Sequence, residues 1–140
     1  MISLRVLTAE DWAAWREMRL AALREAPEAF GASLADWQGA GDTELRWRQR
    51  LGGHSFNVLA ALNGKPAGMA SGMPRDDVVE LISMWVAPFA RGRGVGDALV
   101  VAVVEWAKEH GAERVVLRVQ PSNQYAAALY RRHGFRVRGR

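Results

Sequence analysis

Apolar and polar residues alternate from Ile2 to Leu7. Ile2, Leu4 and Val6 fall on one side and Ser3 and Arg5 on the other, the two-residue period of a half-buried strand. The period changes after Thr8, whose hydroxyl suits a helix N-cap, with Asp11 as an acid in the first turn. At ~100° per residue, Trp12, Trp15, Ala22, Leu23 and Ala26 line one face of a helix that Pro27 ends, and Arg19 falls in the middle of that face. Residues 27–41 interleave Phe30, Leu34 and Trp37 with Gly, Ala and Ser, which reads as an ordered loop or short helical turns. Asp42 is placed to cap a second helix running through Leu51, stopped by Gly52 and Gly53.

Phe56 to Leu62 reads as a strand, followed by Asn63-Gly64, a hairpin signal because both residues tolerate positive φ. The return strand runs from near Pro66 to Gly72. Val78 to Val86 is interrupted chiefly by Glu80 and Ser83, as expected of a central strand covered on both faces. Val95, Leu99, Ala102, Val103 and Trp106 then write the face of a helix that starts at Gly94 and stops at Gly111. Val115 to Val119 is a fifth strand. Pro121-Ser122-Asn123 opens a last helix ending at His133-Gly134, and Phe135 to Val137 starts a sixth strand. Repeats and low-complexity segments are absent, so residues 1–140 are expected to form one continuous α/β domain.

Composition narrows the chemistry. The 140 residues contain no cysteine, which excludes a disulfide scaffold, a thiol nucleophile and a cysteine zinc site. His54, His110 and His133 are scattered, so no metal site is expected. No run approaches the roughly 18 apolar residues of a membrane span, and Met1 to Leu7 lacks the features of a signal peptide. A cytoplasmic location without membrane contact is the expectation. The net charge of +4 is local: residues 131–140 hold Arg131, Arg132, Arg136, Arg138 and Arg140 and no acid, leaving 14 basic and 15 acidic side chains in residues 1–130. That distribution does not describe a general nucleic-acid surface, although binding through the arginine-rich end is a separate hypothesis, marked by a steep salt dependence.

The segment Arg91-Gly92-Arg93-Gly94-Val95-Gly96-Asp97 joins the buried fourth strand to an amphipathic helix. Its glycines let the backbone approach a ligand, and the first N–H groups of the helix, the positive end of its dipole and two arginines suit a pyrophosphate. It lacks the Gly-Lys-Ser/Thr of a P-loop and the G-x-G-x-x-G spacing of a dinucleotide fold. Read alone, it is equally a glycine-rich turn with solvated arginines. About 30 residues on, Asn123 and Tyr130 lie seven apart, ~20° from one another on a helix, and Tyr130 leads into Arg131-Arg132-His133-Gly134-Phe135.

Together, Met84-Trp85-Val86, the Arg91-x-x-Gly94-x-Gly96 loop, Asn123 and the Leu129 to Phe135 run resemble the GNAT superfamily of N-acetyltransferases. The resemblance implies a mixed central sheet flanked by about four helices on both faces, and acetyl transfer from acetyl-CoA to a primary amine by direct attack in a ternary complex. It implies that Met84, Trp85 and Val86 offer backbone to pantetheine, with the Val86 amide facing the oxyanion. Arg91, Gly92, Arg93, Gly94, Val95, Gly96 and Asp97 would hold the pyrophosphate, and Asn123 the pantetheine arm. Arg131 or Arg132 would reach the 3′-phosphate, and Tyr130 would protonate the departing thiolate. Packing under the helix is the alternative for Tyr130.

Glu80, set among Val78, Val79, Leu81 and Ile82, is the candidate base for the amine, expected to have its pKa raised by desolvation; the alternative is an acid facing solvent or paired with an arginine. Arg19 is open between a substrate-carboxylate partner and a structural ion pair. With Phe30 and Trp37 it is an acceptor-pocket candidate by resemblance. Family members continue into a seventh strand that residues 1–140 do not include, which leaves open a homodimer supplying it. A non-catalytic acyl-CoA-binding domain is the alternative to an enzyme, separable by amine-dependent thiol release.

Overall fold

In a computed structural model, which describes residues 1–25, 34–119 and 123–136, the elements follow the order β1 (Ile2–Val6), α1 (Trp12–Glu25), α2 (Glu44–Leu51), β2 (Phe56–Leu62), β3 (Lys65–Arg75), β4 (Val78–Val86), α3 (Val95–Glu109), β5 (Arg114–Val116) and α4 (Gln124–Arg132). The five strands lie in sheet order β1-β2-β3-β4-β5, antiparallel except for the parallel β4–β5 pair. That parallel pair requires a crossover, which α3 provides. Asn63 at φ 52° and Gly64 at φ 83° form the expected hairpin turn, and Asp76 at φ 58° turns β3 into β4.

Each sheet face carries its own apolar layer. On one, Val58, Ala70, Val79 and Leu81 pack under Val95, Leu99, Val100 and Val103 of α3, with Leu129 and Tyr130 of α4. On the other, Met69 and Trp85 meet Trp15, Met18 and Ala22 of α1 and Trp47 and Leu51 of α2. Two sheet glycines let α3 lie close. A Cβ at Gly68 would come within 2.8 Å of the Trp85 carbonyl oxygen and 3.1 Å of Leu99, and one at Gly72 within 3.2 Å of Val103.

Several elements differ from the sequence reading. Thr8 caps a short 3-10 turn, Ala9–Asp11, that leads into α1. The cap of α2 is Thr43, whose hydroxyl accepts from the Arg46 amide at 3.2 Å, whereas Asp42 accepts from Arg16 Nε at 2.8 Å and Trp47 Nε1 at 2.7 Å. The strand period of β1 holds, yet Leu4 and Val6 are exposed: β1 is an edge strand, and Ile2, which stands 3.6 Å from where a Cβ of Gly94 would lie, is its point of contact with the start of α3. β3 continues to Arg75, and β5 is shorter than Val115 to Val119 because its pairing with β4 ends at Glu80 and Val116. Phe135 and Arg136 form no strand: their hydrogen bonding returns to the helix, the Phe135 amide donating to the Tyr130 carbonyl at 3.1 Å. Val137, where the sixth strand was to continue, lies outside the described residues. Among the described residues no helix is long and apolar enough to cross a membrane.

Candidate functional site

The pairing of β3 with β4 runs Gly72 to Leu81 and Ser71 to Ile82, then resumes at Met69 with Trp85. Ser83 and Met84 therefore stand opposite Ala70 alone, a β-bulge, with Ser83 at φ 56°. β5 pairs only with Val78, Val79 and Glu80. From Leu81 onward, the edge of β4 that faces away from β3 meets no strand among the described residues. Ladder alternation orients this edge: the Ala87 amide donates to the Ala67 carbonyl at 2.7 Å, so the neighbouring Val86–Gly68 pair is the non-hydrogen-bonded kind and the Val86 N–H points away from β3. The Val86 carbonyl accepts from Arg91 Nε at 3.0 Å.

The Arg91–Gly94 turn brings the chain from this edge into α3, and it requires positive φ at Gly92 (77°) and Gly94 (88°). Thr43 and Asn123 cap α2 and α4 with side-chain oxygens, but no side chain caps α3. Its first-turn N–H groups and the positive end of a 15-residue dipole thus stand at the end of the open edge of β4. Gly96 serves packing rather than backbone freedom, since a Cβ there would lie 3.0 Å from Leu129 of α4.

Arg91 of the loop and Arg132 of α4 are already engaged. Arg91 donates to Glu25 Oε1 at 2.7 Å, and Trp85 Nε1 donates to the same oxygen at 2.9 Å, so the end of α1 anchors both the loop and β4. The Arg91 and then the Trp85 hydrogen bond hold the Glu25 carboxyl below its ordinary pKa. Asp97 in the first turn of α3 meets Arg132 at 3.2 Å and His133 Nε2 at 2.8 Å. Partial burial pushes its pKa up, but those two partners outweigh it and the net direction is down. Asp97 and Arg132, both cofactor candidates by sequence, therefore join α3 to α4. Arg93 and Arg131 are exposed.

Tyr130 is buried in the same apolar layer as Val86, with Met84 packed against that layer and Phe135 edge-on at 5.8 Å. Burial pushes its phenol above the usual pKa, so the hydroxyl holds its proton through the neutral range. Asn123 Oδ1 accepts from the Ala126 amide at 3.1 Å and is the N-cap of α4. Glu80 pairs with Arg75 Nε at 3.1 Å. It lies three residues before Ser83, about 10 Å along an extended strand. Trp37 packs against Trp47, the rings tilted by 34° with centroids 4.4 Å apart. Phe30 lies outside the described residues.

Sequence reasoning missed a buried polar cluster on the α1/α2 face. Arg50 of α2 donates to Asn57 Oδ1 of β2 at 2.9 Å, Ser71 Oγ of β3 at 3.0 Å and Ser83 Oγ of the bulge at 3.2 Å, and it lies 5.1 Å from the Trp15 ring centroid. Arg19 is buried beside it, close enough that the two guanidinium charges repel. Arg50 resembles any basic residue in a last helical turn, and only its depth marks it. A separate cavity of about 450 Å³, lined by His54, Pro74, Val78, Trp106 and His110 among others, sits at the opposite end of β4 from the bulge.

Known proteins are similar to this chain in sequence or in fold. An N-acetyltransferase of Methanocaldococcus jannaschii, itself uncharacterized, is 34% identical over 98 residues, covering 65% of this chain and 43% of that protein. A mycothiol acetyltransferase of Renibacterium salmoninarum is 30% identical over 148 residues, covering 96% of this chain and 40% of its own length. The chain thus spans about two fifths of the length of these two relatives. Among solved structures, an aminoglycoside acetyltransferase from an uncultured soil metagenomic sample matches with a TM-score of 0.82 at 19% identity, over 100% of this chain and 95% of that one. The aminoglycoside acetyltransferase AAC(6')-Iy, in complex with a bisubstrate analogue of CoA and acetylneamine, matches with a TM-score of 0.76 at 21% identity, over 100% and 94%. At these identities the structural likeness speaks for the fold. The model of the acetyltransferase (GNAT) family matches residues 11–135, which hold every described α-helix and every strand but β1, and the chain belongs to that family.

Proposed function

We propose that this domain transfers an acetyl group from acetyl-CoA to a primary amine. The observation that carries the reading is the edge of β4 beyond Glu80, which is unpaired among the described residues and leads directly to the N-terminus of α3, where no side chain caps the helix. The residues present fit the ligand. An extended pantetheine arm finds main-chain groups along Leu81–Val86 where β5 has diverged, and the pyrophosphate finds the amides of 92–97, two of them at glycines with positive φ. Arg93, Arg131 and Arg132 supply exposed positive charge nearby.

In this reading the amine nitrogen attacks the thioester carbonyl carbon. The C–N bond forms, the C–S bond breaks, and the oxygen's developing charge lies against the Val86 N–H. Tyr130, kept protonated by burial, gives its proton to the thiolate. Glu80, on the α1/α2 face two residues before Ile82, takes the amine proton through intervening water. Arg75 Nε, at 3.1 Å, orients the Glu80 carboxylate.

Thiol release from acetyl-CoA with a panel of amines tests the activity. Tyr130→Phe is expected to lower kcat by about 100-fold or more and to leave acetyl-CoA affinity, measured by calorimetry, within a few-fold. An unchanged kcat removes Tyr130 from the mechanism. CoA binding without thiol release for any amine would favour an acyl-CoA-binding domain.

A further inference from the structure

Glu25 is the last residue of α1, where a carboxylate faces the negative end of the helix dipole, an unfavourable place for it. Its partners lie in another part of the fold. Trp85 Nε1 near the end of β4 and Arg91 Nη2 in the turn to α3 donate to one carboxylate oxygen, at 2.9 and 2.7 Å. Arg91 Nε also donates to the Val86 carbonyl at 3.0 Å. These contacts close a ring that runs from Glu25 through the Trp85 indole and the main chain to Val86, then through Arg91 back to Glu25. In the Val86–Gly68 pair both main-chain groups of Val86 point away from β3. Arg91 takes the carbonyl, and the N–H is the group assigned to the thioester oxygen. Two fixed points bracket that N–H. Before it, the Trp85 side chain is pinned on Glu25; after it, the Val86–Ala87 peptide is held by Arg91 at one end and by the Ala67 carbonyl, at 2.7 Å, at the other. Such fixing matters here because the bulge at Ser83, two residues before Trp85, interrupts the regular ladder. The Glu25 and Arg91 side chains are 35% and 39% exposed, and an ion pair so open to solvent adds little to stability. Its main effect is geometric.

We propose that Glu25 is a positioning residue for acetyl transfer: through Trp85 and Arg91 it sets where the Val86 N–H stands relative to the thioester oxygen. An oxyanion donor acts through a hydrogen bond that strengthens as charge develops, so slack in its support lowers turnover more than ground-state binding. The cofactor keeps the 92–97 amides in either case, because the turn at Gly92 and Gly94 is set by their own positive φ.

The proposal rests on the acetyl-transfer reading, and one set of assays separates their failures. Thiol release from acetyl-CoA is followed with whichever amine of the panel the wild type uses fastest, well below the melting temperature of each variant. Glu25→Ala is expected to lower kcat by about tenfold, and by no less than about threefold, while CoA affinity by calorimetry stays within about threefold. Glu25→Gln, whose amide oxygen can accept both hydrogen bonds, should keep kcat within about threefold of wild type. Trp85→Phe removes the indole arm alone and should lower kcat by at least about threefold. Combined with Glu25→Ala it should cost less than the product of the two single effects, since both changes open the same ring. A purely structural ion pair would lower the melting temperature and leave kcat in place. Several results overturn the positioning role while acetyl transfer stands: Glu25→Ala within about threefold of wild type in kcat, Glu25→Gln as slow as Glu25→Ala, multiplicative effects in the double variant, or a loss of CoA affinity larger than the loss of kcat. If Glu25→Ala fails to fold, Glu25→Gln and Trp85→Phe decide by the same thresholds. Absence of wild-type turnover with every amine overturns both readings.

Discussion

Gly68 sits where β3, β4 and the first turns of α3 meet, directly beneath the loop assigned to the pyrophosphate. Its backbone is not in the positive-φ region, so alanine brings no torsional strain, and by restricting the unfolded chain it would stabilise by roughly 0.4–1 kcal/mol. Space opposes this. The added Cβ would stand 2.8 Å from the Trp85 carbonyl oxygen, 3.1 Å from Leu99 Cδ1 and 3.2 Å from Val95 Cγ1. The carbonyl is held by the sheet, and Leu99 and Val95 are fully buried, so neither can swing aside. Overpacking of this kind costs roughly 1–3 kcal/mol, which leaves Gly68→Ala destabilised by about 1–2 kcal/mol, a Tm lower by about 3–10 °C in a domain of this size. The easiest relief lifts the start of α3 from the sheet and moves the 92–97 amides, so CoA affinity should fall as well. Thermal unfolding and CoA titration measure both. Gly52→Ala is the internal control, because its φ is −79° and its Cβ would meet the Arg48 carbonyl at an ordinary 3.4 Å; a rise of about 0.4–1 kcal/mol is expected there. If Gly68→Ala melts at or above the wild-type temperature while Gly52→Ala behaves as expected, the close α3–sheet approach is wrong.

Two further outcomes are expected. Hydrogen bonds from Arg16 and then Trp47 bring the Asp42 pKa down to about 2 from an ordinary 3.8. A depressed carboxylate contributes fully above the unfolded value, and the contribution disappears as pH falls through the folded one. The urea midpoint of wild type should therefore exceed that of Asp42→Asn at pH 7, and the gap should close between about pH 4 and pH 2; a gap constant with pH would sink this account. Asn123→Ala should cost roughly 1 kcal/mol by uncapping α4, whereas Asn123→Ser should retain both the cap and the turnover. If serine keeps stability yet loses acetyl-CoA affinity, Asn123 acts on the pantetheine arm as well as on the helix.

Short-range signals in the chain were enough for most elements. β4 was read with its observed ends because a nearly continuous apolar run can only be an internal strand, and the Asn63-Gly64 turn follows from two residues that accept positive φ. Arg19 could be placed on an inward face by helical period alone. Where the reading failed, a nearby competitor had taken the role: Thr43 caps α2 because Asp42 is drawn to Arg16, 26 residues away. The gap beside β4 could not be read from the β5 segment, whose residues keep a strand pattern to Val119 while pairing stops at Val116.

By itself, then, the sequence determined the alternation of strands and helices, the family, and the glycine-rich turn before α3, since each depends on residues close together in the chain. The tertiary structure alone decided which charges face one another. Glu25 with Arg91, Asp97 with Arg132, and Arg50 with Asn57, Ser71 and Ser83 join elements that the chain brings together only by folding. Local pattern specifies the face on which a side chain lies, whereas the energy of a buried charge depends on what the rest of the chain places against it.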